Sequence, residues 1–219
     1  MTGRISVPQA IQAIGRPVFT TREVAAVRGG SVSATSQALR RMERQGLLVS
    51  PARGIWCVPT DPRFTPLALV PYLAGGHQAY VSFFSALHLH GLIEQIPQVV
   101  YVATTGHPRI RRTPAGSYSF HRIHPRFFAG FDWYRGRQEF LIAGPEKALV
   151  DCLYLSSRRG RRFAHFPEIG FGEKFSFRRA AEWVEQIPYR NIREYASARL
   201  EALRRRSRER SRGLPRSDD

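Results

Sequence analysis

The stretch from Thr20 to Val58 constrains this chain more than any other: TTREVAAVRGGSVSATSQALRRMERQGLLVSPARGIWCV. Thr20 and Glu23 have the spacing of a capping box, which satisfies two otherwise orphaned amides at a helix start. Val24, Ala25 and Val27 follow, and Arg28-Gly29-Gly30 ends that helix. A second helix is predicted from about Ser33 to Gln45. In it Thr35, Ala38, Leu39 and Met42 recur at i, i+3, i+4 and i+7 on one face, and Gly46 suits a left-handed C-cap. Leu47–Val49 and Ile55–Val58 read as strands joined by Ser50-Pro51-Ala52-Arg53-Gly54. Two short helices around a tight turn, then a hairpin, make a winged helix-turn-helix. The face opposite the apolar stripe shows Ser36, Gln37, Arg40, Arg41 and Arg44. Glutamine can bond adenine through two atoms, serine reads loosely, and arginine suits guanine or phosphate. Gln37 and Ser36 are therefore read as base contacts, Arg40 as base or phosphate, and Arg41 and Arg44 as phosphate contacts that position rather than specify. Arg53, at the hairpin tip, would reach backbone or minor groove.

Charge points the same way. The 219 residues carry a formal charge of +17, and nearly all of the 34 basic residues are arginine, the lysines being Lys147 and Lys174. Such a balance attracts polyanions, and arginine is the better two-pronged partner for phosphate and guanine. A hydrophobic fraction of 42% supports folded cores rather than a disordered chain. Cys57 and Cys152 stand alone, which argues against a disulfide framework and against structural zinc. No signal-peptide pattern and no run of about 18 apolar residues occurs, so a cytoplasmic protein without a membrane span is expected.

The rest of the chain reads as a second unit. Ahead of the motif, Val7, Ala10, Ile11 and Ile14 form an apolar stripe behind a Ser6/Gln9 capping box, closed by Gly15. Asp61–Pro66 has linker composition. Beyond it, helices are expected at Leu67–Ala74, after Ser82 and after Pro145, with strands at Val99–Ala103, Ser117–Ile123 and Phe140–Ala143. Ala148, Leu149, Cys152 and Leu153 should face inward. Phe177–Ile187 and Asn191–Leu203 read as two further helices. The fold class is thus α+β: a winged helix-turn-helix over residues 1–63, then a mixed α+β domain with a small sheet over 64–203. From residue 204 the tail alternates Arg, Ser and Glu without apolar spacing and is expected to be disordered in the absence of nucleic acid. The Arg158–Arg162 run and the tail arginines are read as supplementary phosphate contacts.

Catalytic readings find little support. His88 and His90 are two apart on a helix and face different ways, as do His121 and His124 around a strand end. Glu146 and Asp151 lack a convergent acidic partner; Glu139-Phe140-Leu141 and Glu173-Lys174 both miss the Glu-x-Lys spacing of a metal-dependent nuclease. Neither a P-loop nor a nucleotidyltransferase motif is present. Glu146 and Asp151 are read as stabilising the fold by pairing with Arg122 or Arg126. No catalytic residue, metal site or cofactor is expected.

Several runs together resemble the AbiEi-type antitoxins, the regulator half of type IV toxin–antitoxin systems. They are Gln45-Gly46-Leu47-Leu48, Tyr80–Leu87 with His90-Gly91-Leu92, Tyr101–Thr104, Phe120–Ile123 with Phe127-Phe128, and Ala143–Asp151. The resemblance spans roughly residues 5–200. It implies an N-terminal DNA-binding domain that represses its own operon. It also implies a C-terminal domain that counters a nucleotidyltransferase-like toxin without a tight complex. The expected partner is double-stranded DNA bearing an inverted repeat, met by a homodimer or two monomers. Three other readings stay open at this point: a nuclease targeted by its winged helix, a stand-alone regulator, and an RNA-binding protein.

Overall fold

The computed structural model describes residues 5–134, 140–157, 163, 165–172 and 175–213. Both capping boxes read from the sequence form. Ser6 caps α1 (Val7–Ile14) while the Gln9 side chain returns a bond to the Ser6 amide. Thr20 and Glu23 do the same for α2 (Thr21–Arg28). Gly15 ends α1 in the left-handed region at φ +70°, where only glycine is free of strain. α3 (Val32–Arg44) starts one residue earlier than the pattern suggested, because the Ser31 hydroxyl accepts from the Ala34 amide.

Between α1 and α2 lies β1 (Val18–Thr20), a strand that the sequence reading passed over. It pairs antiparallel with β3 (Ile55–Cys57), which pairs in turn with β2 (Val49–Ala52), giving the order β1-β3-β2. Val7, Ala10, Phe19, Val24, Leu39, Leu48 and Trp56 fill the space between helices and sheet. The buried Trp56 indole donates to the Thr21 hydroxyl at 2.8 Å, so its one polar atom is satisfied.

Asp61–Pro66 is not a loose tether. Arg63 grips Asp61 at 2.8 Å and donates to the Gly15 carbonyl at 2.7 Å. Thr65 caps a 3-10 turn over Pro66–Leu69 that runs into α4 (Val70–Leu73). The Tyr118 hydroxyl donates to the Pro66 carbonyl at 2.9 Å.

The second unit is built on six strands rather than the three expected. They are β4 (Ala79–Val81), β5 (Val100–Thr104), β6 (Arg109–Thr113), β7 (Gly116–Arg122), β8 (Phe131–Trp133) and β9 (Leu141–Ala143), in the order β6-β7-β5-β4-β9-β8. β5–β7 and β4–β9 are parallel and the other pairs antiparallel. Helices α5 (Phe83–Leu89), α6 (Pro145–Ser156), α7 (Phe177–Glu185) and α8 (Arg190–Gly213) complete it. On β7, Tyr118 and Phe120 are buried on one face and Ser119 and His121 on the other, so both faces are covered. α6 is buried from Glu146 to Ser156, including the expected Ala148, Leu149, Cys152 and Leu153.

The expectation of a disordered tail from residue 204 is overturned through Gly213, because α8 continues to that point. Ile192, Ala196, Leu200 and Leu203 lay down a packed stripe, and arginine is a strong helix former once that stripe has nucleated the helix.

Buried apolar residues fall into two clusters, one inside the three-helix head and a larger one around the six-stranded sheet. Val18 and Cys57, on the head's own sheet, belong to the larger cluster. Burial pushes the Cys57 thiol up from 9.0 to about 11. An unfolded chain therefore ionises this thiol first, and its share of stability, whole below pH 9, is lost as pH rises to 11. Urea unfolding across pH 8–11 should show a shallower alkaline decline for Cys57→Ala than for the parent. Equal declines would place the thiol outside the core.

Candidate nucleic-acid interface

α2 and α3 are fixed to each other through a turn that only glycine can make easily. Gly29 sits at φ +66° and its amide reaches back into α2. The Gly30 amide bonds the Ala25 carbonyl at 3.1 Å. Arg28, the last residue of α2, donates to the Thr35 hydroxyl at 3.3 Å and so ties the end of one helix to the buried side of the next. Thr35 and Leu39 are wholly buried and Ala38 and Met42 half-buried, so the stripe read from the sequence is the packed face of α3.

The opposite face is open. Gln37, Arg40, Arg41 and Arg44 are exposed, and Ser36 is half-buried. At 100° per residue, Gln37, Arg40 and Arg44 stand in one row along the helix and Arg41 flanks it. Ser36 falls at the margin, beside half-buried Glu43. Ser33 is exposed in the same row, at the N-terminal end where such helices meet base edges. The sequence reading spent Ser33 as the helix start. The competing cap, Ser31, is identifiable only by which hydroxyl faces an amide.

The wing is tighter than expected. Ala52 pairs with Ile55, leaving only Arg53 and Gly54 in the turn. Gly54 takes φ +75° and its carbonyl accepts from the Thr21 amide at 2.9 Å, which fastens the wing to the start of α2. Exposed Arg53 is the only long side chain at its tip.

The groups weighed for catalysis are held as structure. Asp151 and Lys147 form a buried ion pair on α6. The second Asp151 oxygen accepts from the Tyr80 hydroxyl at 3.0 Å and from Ser82 at 2.7 Å. Ser82 thus points at this carboxylate rather than capping α5. The Lys147 ammonium also donates to Tyr80 at 3.0 Å and lies 3.9 Å from the centre of the Phe127 ring. Burial lowers the Lys147 pKa, with Asp151 pulling it back up, and burial beside Asp151 raises that of Tyr80. Glu146 accepts from Arg179 at 2.8 Å and from the Ser176 amide at 2.9 Å. Both carboxylates are therefore paired, as expected, but not with Arg122 or Arg126: Asp151 takes Lys147, four residues back on α6, together with Tyr80 of β4 and Ser82, and Glu146 takes Arg179 of α7 and the Ser176 amide. His90 bonds the Ala143 carbonyl at 2.8 Å and His121 the Ser119 hydroxyl at 2.9 Å. Among the described residues no cluster of three or more His, Cys, Asp or Glu could hold a metal ion, and no helix is long and apolar enough to cross a membrane. The Arg158–Arg162 run, Glu139, Glu173 and Lys174 lie outside the described residues.

Two helices locked around a glycine turn, a basic outer face on the second and a short hairpin wing on a three-stranded sheet make a winged helix-turn-helix. Residues 9–59, from α1 to the end of the wing, match the family model of the AbiEi antitoxin transcriptional regulators. No curated protein matches the chain.

Proposed function

We propose that the chain is a sequence-specific DNA-binding repressor that acts on its own promoter as the antitoxin of a type IV toxin–antitoxin pair. The observation that carries this reading is the outer face of α3, where Gln37, Arg40, Arg41 and Arg44 are exposed together, with Arg53 exposed at the wing tip. Gln37 reads a base, Arg40 a guanine or phosphate, Arg41 and Arg44 hold the phosphate backbone, and Arg53 reaches the backbone or minor groove. Ser36, at the margin of the face, makes the weakest contact of the six. A head over residues 1–63 would read the operator and a body over 64–203 would counter a nucleotidyltransferase-like toxin. Two copies on an inverted repeat double the length of sequence read.

Binding to duplexes from the region upstream of its own reading frame, with a scrambled duplex as reference, tests this directly. Gln37→Ala should narrow the gap between operator and scrambled sequence by about 1–3 kcal/mol, whereas Arg44→Ala should weaken both alike. If the two substitutions act alike on both duplexes, Gln37 does not read a base. Intact duplex after incubation with Mg²⁺ or Mn²⁺ speaks for a repressor and against a nuclease. Growth restored when the chain is co-expressed with an adjacent nucleotidyltransferase-like protein tests the antitoxin half.

A further inference from the structure

α8 is 24 residues long, about 36 Å at 1.5 Å per residue. As far as Leu203 its stability has an ordinary source, the packed stripe of Ile192, Ala196, Leu200 and Leu203. Past that point the chain offers only Arg, Ser and Glu up to Gly213, yet the helix goes on. Leu203, Arg206, Ser207 and Arg210 continue the inner edge at i, i+3, i+4 and i+7 and line a cleft whose other wall is His165–Ile169 and Phe171. Arg210 reaches across it to Glu168 at 2.5 Å. The end of α8 is thus pinned to the body rather than hanging free.

The outer edge has no such packing to serve. Arg205 and Arg208 are exposed there. Among the described residues, the ion pairs along this stretch belong to Arg204, with Glu201 at 3.5 Å, and to Arg210. Attraction to the negative end of the helix dipole accounts for cations in the last turn only, and Arg204–Arg208 precede it. Like charges four apart, Arg204 with Arg208 and Arg206 with Arg210, cost the free helix a few tenths of a kcal/mol per pair. From Arg204 to Arg210 five arginines face one glutamate over a rise of about 9 Å. Duplex DNA carries roughly five phosphate charges over the same length. The match is in charge density, not in base-reading groups.

We propose that Arg204, Arg205 and Arg208 form a preformed, sequence-independent contact for the phosphates of duplex DNA, separate from the winged helix. This rests on the reading of the chain as a duplex-binding protein, but its test does not need a known operator. Affinity for a random-sequence duplex is measured against salt concentration for the full chain. Each lost phosphate contact removes about 0.9 from the log–log slope, so Arg205→Ala/Arg208→Ala should lower it by about 1.8 and weaken binding about 60-fold at 0.1 M salt. The fall should be the same on any preferred sequence, and Arg205→Lys/Arg208→Lys should keep the parent slope. Far-ultraviolet circular dichroism should show no gain of helix on adding duplex, since the helix already exists. An unchanged slope, or a loss confined to single-stranded RNA, overturns the proposal, and a helix gain of about ten residues overturns its preformed character. A parent chain that binds random duplex but prefers no sequence would sink the repressor reading while leaving this contact measurable.

Discussion

Asp151→Ala should destabilise the chain by about 3–5 kcal/mol, the usual cost of leaving one member of a buried ion pair without its partner. The Lys147 ammonium would remain wholly buried beside the Tyr80 hydroxyl and the Phe127 and Trp183 rings, and the Tyr80 and Ser82 hydroxyls would both lose their acceptor. At about 2–4 °C per kcal/mol for a chain of this size, the midpoint of thermal unfolding should fall by about 10 °C. Lys147→Met/Asp151→Leu, which removes both charges and keeps most of the volume, should recover much of that loss. A fall of less than about 1 kcal/mol for the single substitution would show that water reaches the pair.

Removing the arginines from the outer face of α3 should leave stability intact and, on the proposed function, abolish useful DNA binding. Arg40, Arg41 and Arg44 are exposed, so alanine at all three should shift stability by no more than about 0.5 kcal/mol each. If each neutralises one phosphate, the triple substitution lowers the salt slope by about 2.7, which at 0.1 M salt is roughly a 500-fold loss of affinity. Fluorescence anisotropy on a labelled duplex, beside a thermal melt, measures both quantities. Retained affinity in a folded triple variant would move the DNA surface off α3.

The N-terminal winged helix-turn-helix was legible because its information is local. Capping boxes span three residues, helix stripes repeat every three or four, and Gly29 and Gly54 mark turns that demand positive φ. What was missed depends on contacts distant in sequence. β1, β4 and β8 are three residues long, too short to display alternation, and β4 is buried at every position. β6 is three parts arginine, a composition that resembles a loop. It is held as a strand by β7 and by Arg109, which lies 4.6 Å over the Phe120 ring and bonds the carbonyls at the end of α4. The partner of Glu146 differs for the same reason, since Arg179 lies 33 residues on; the Lys147–Asp151 pair, by contrast, is a local i, i+4 spacing on one helix. The stretch after Leu203 failed on a different count. A basic run without apolar period reads as disorder, while nucleation by the preceding stripe and pinning at Glu168 keep it helical through Gly213.

Val18 and Cys57 sit in the body's core although they belong to the head's sheet, and the Tyr72 hydroxyl donates to the Val18 carbonyl at 3.4 Å. The head is consequently not a cartridge. Moving residues 5–58 onto another protein would expose the underside of their own sheet, and a foreign head set on this body would leave a hole where Val18 and Cys57 had been. On the function proposed above, a change of operator would therefore be confined to exposed side chains on the outer surface of α3 and at the wing tip.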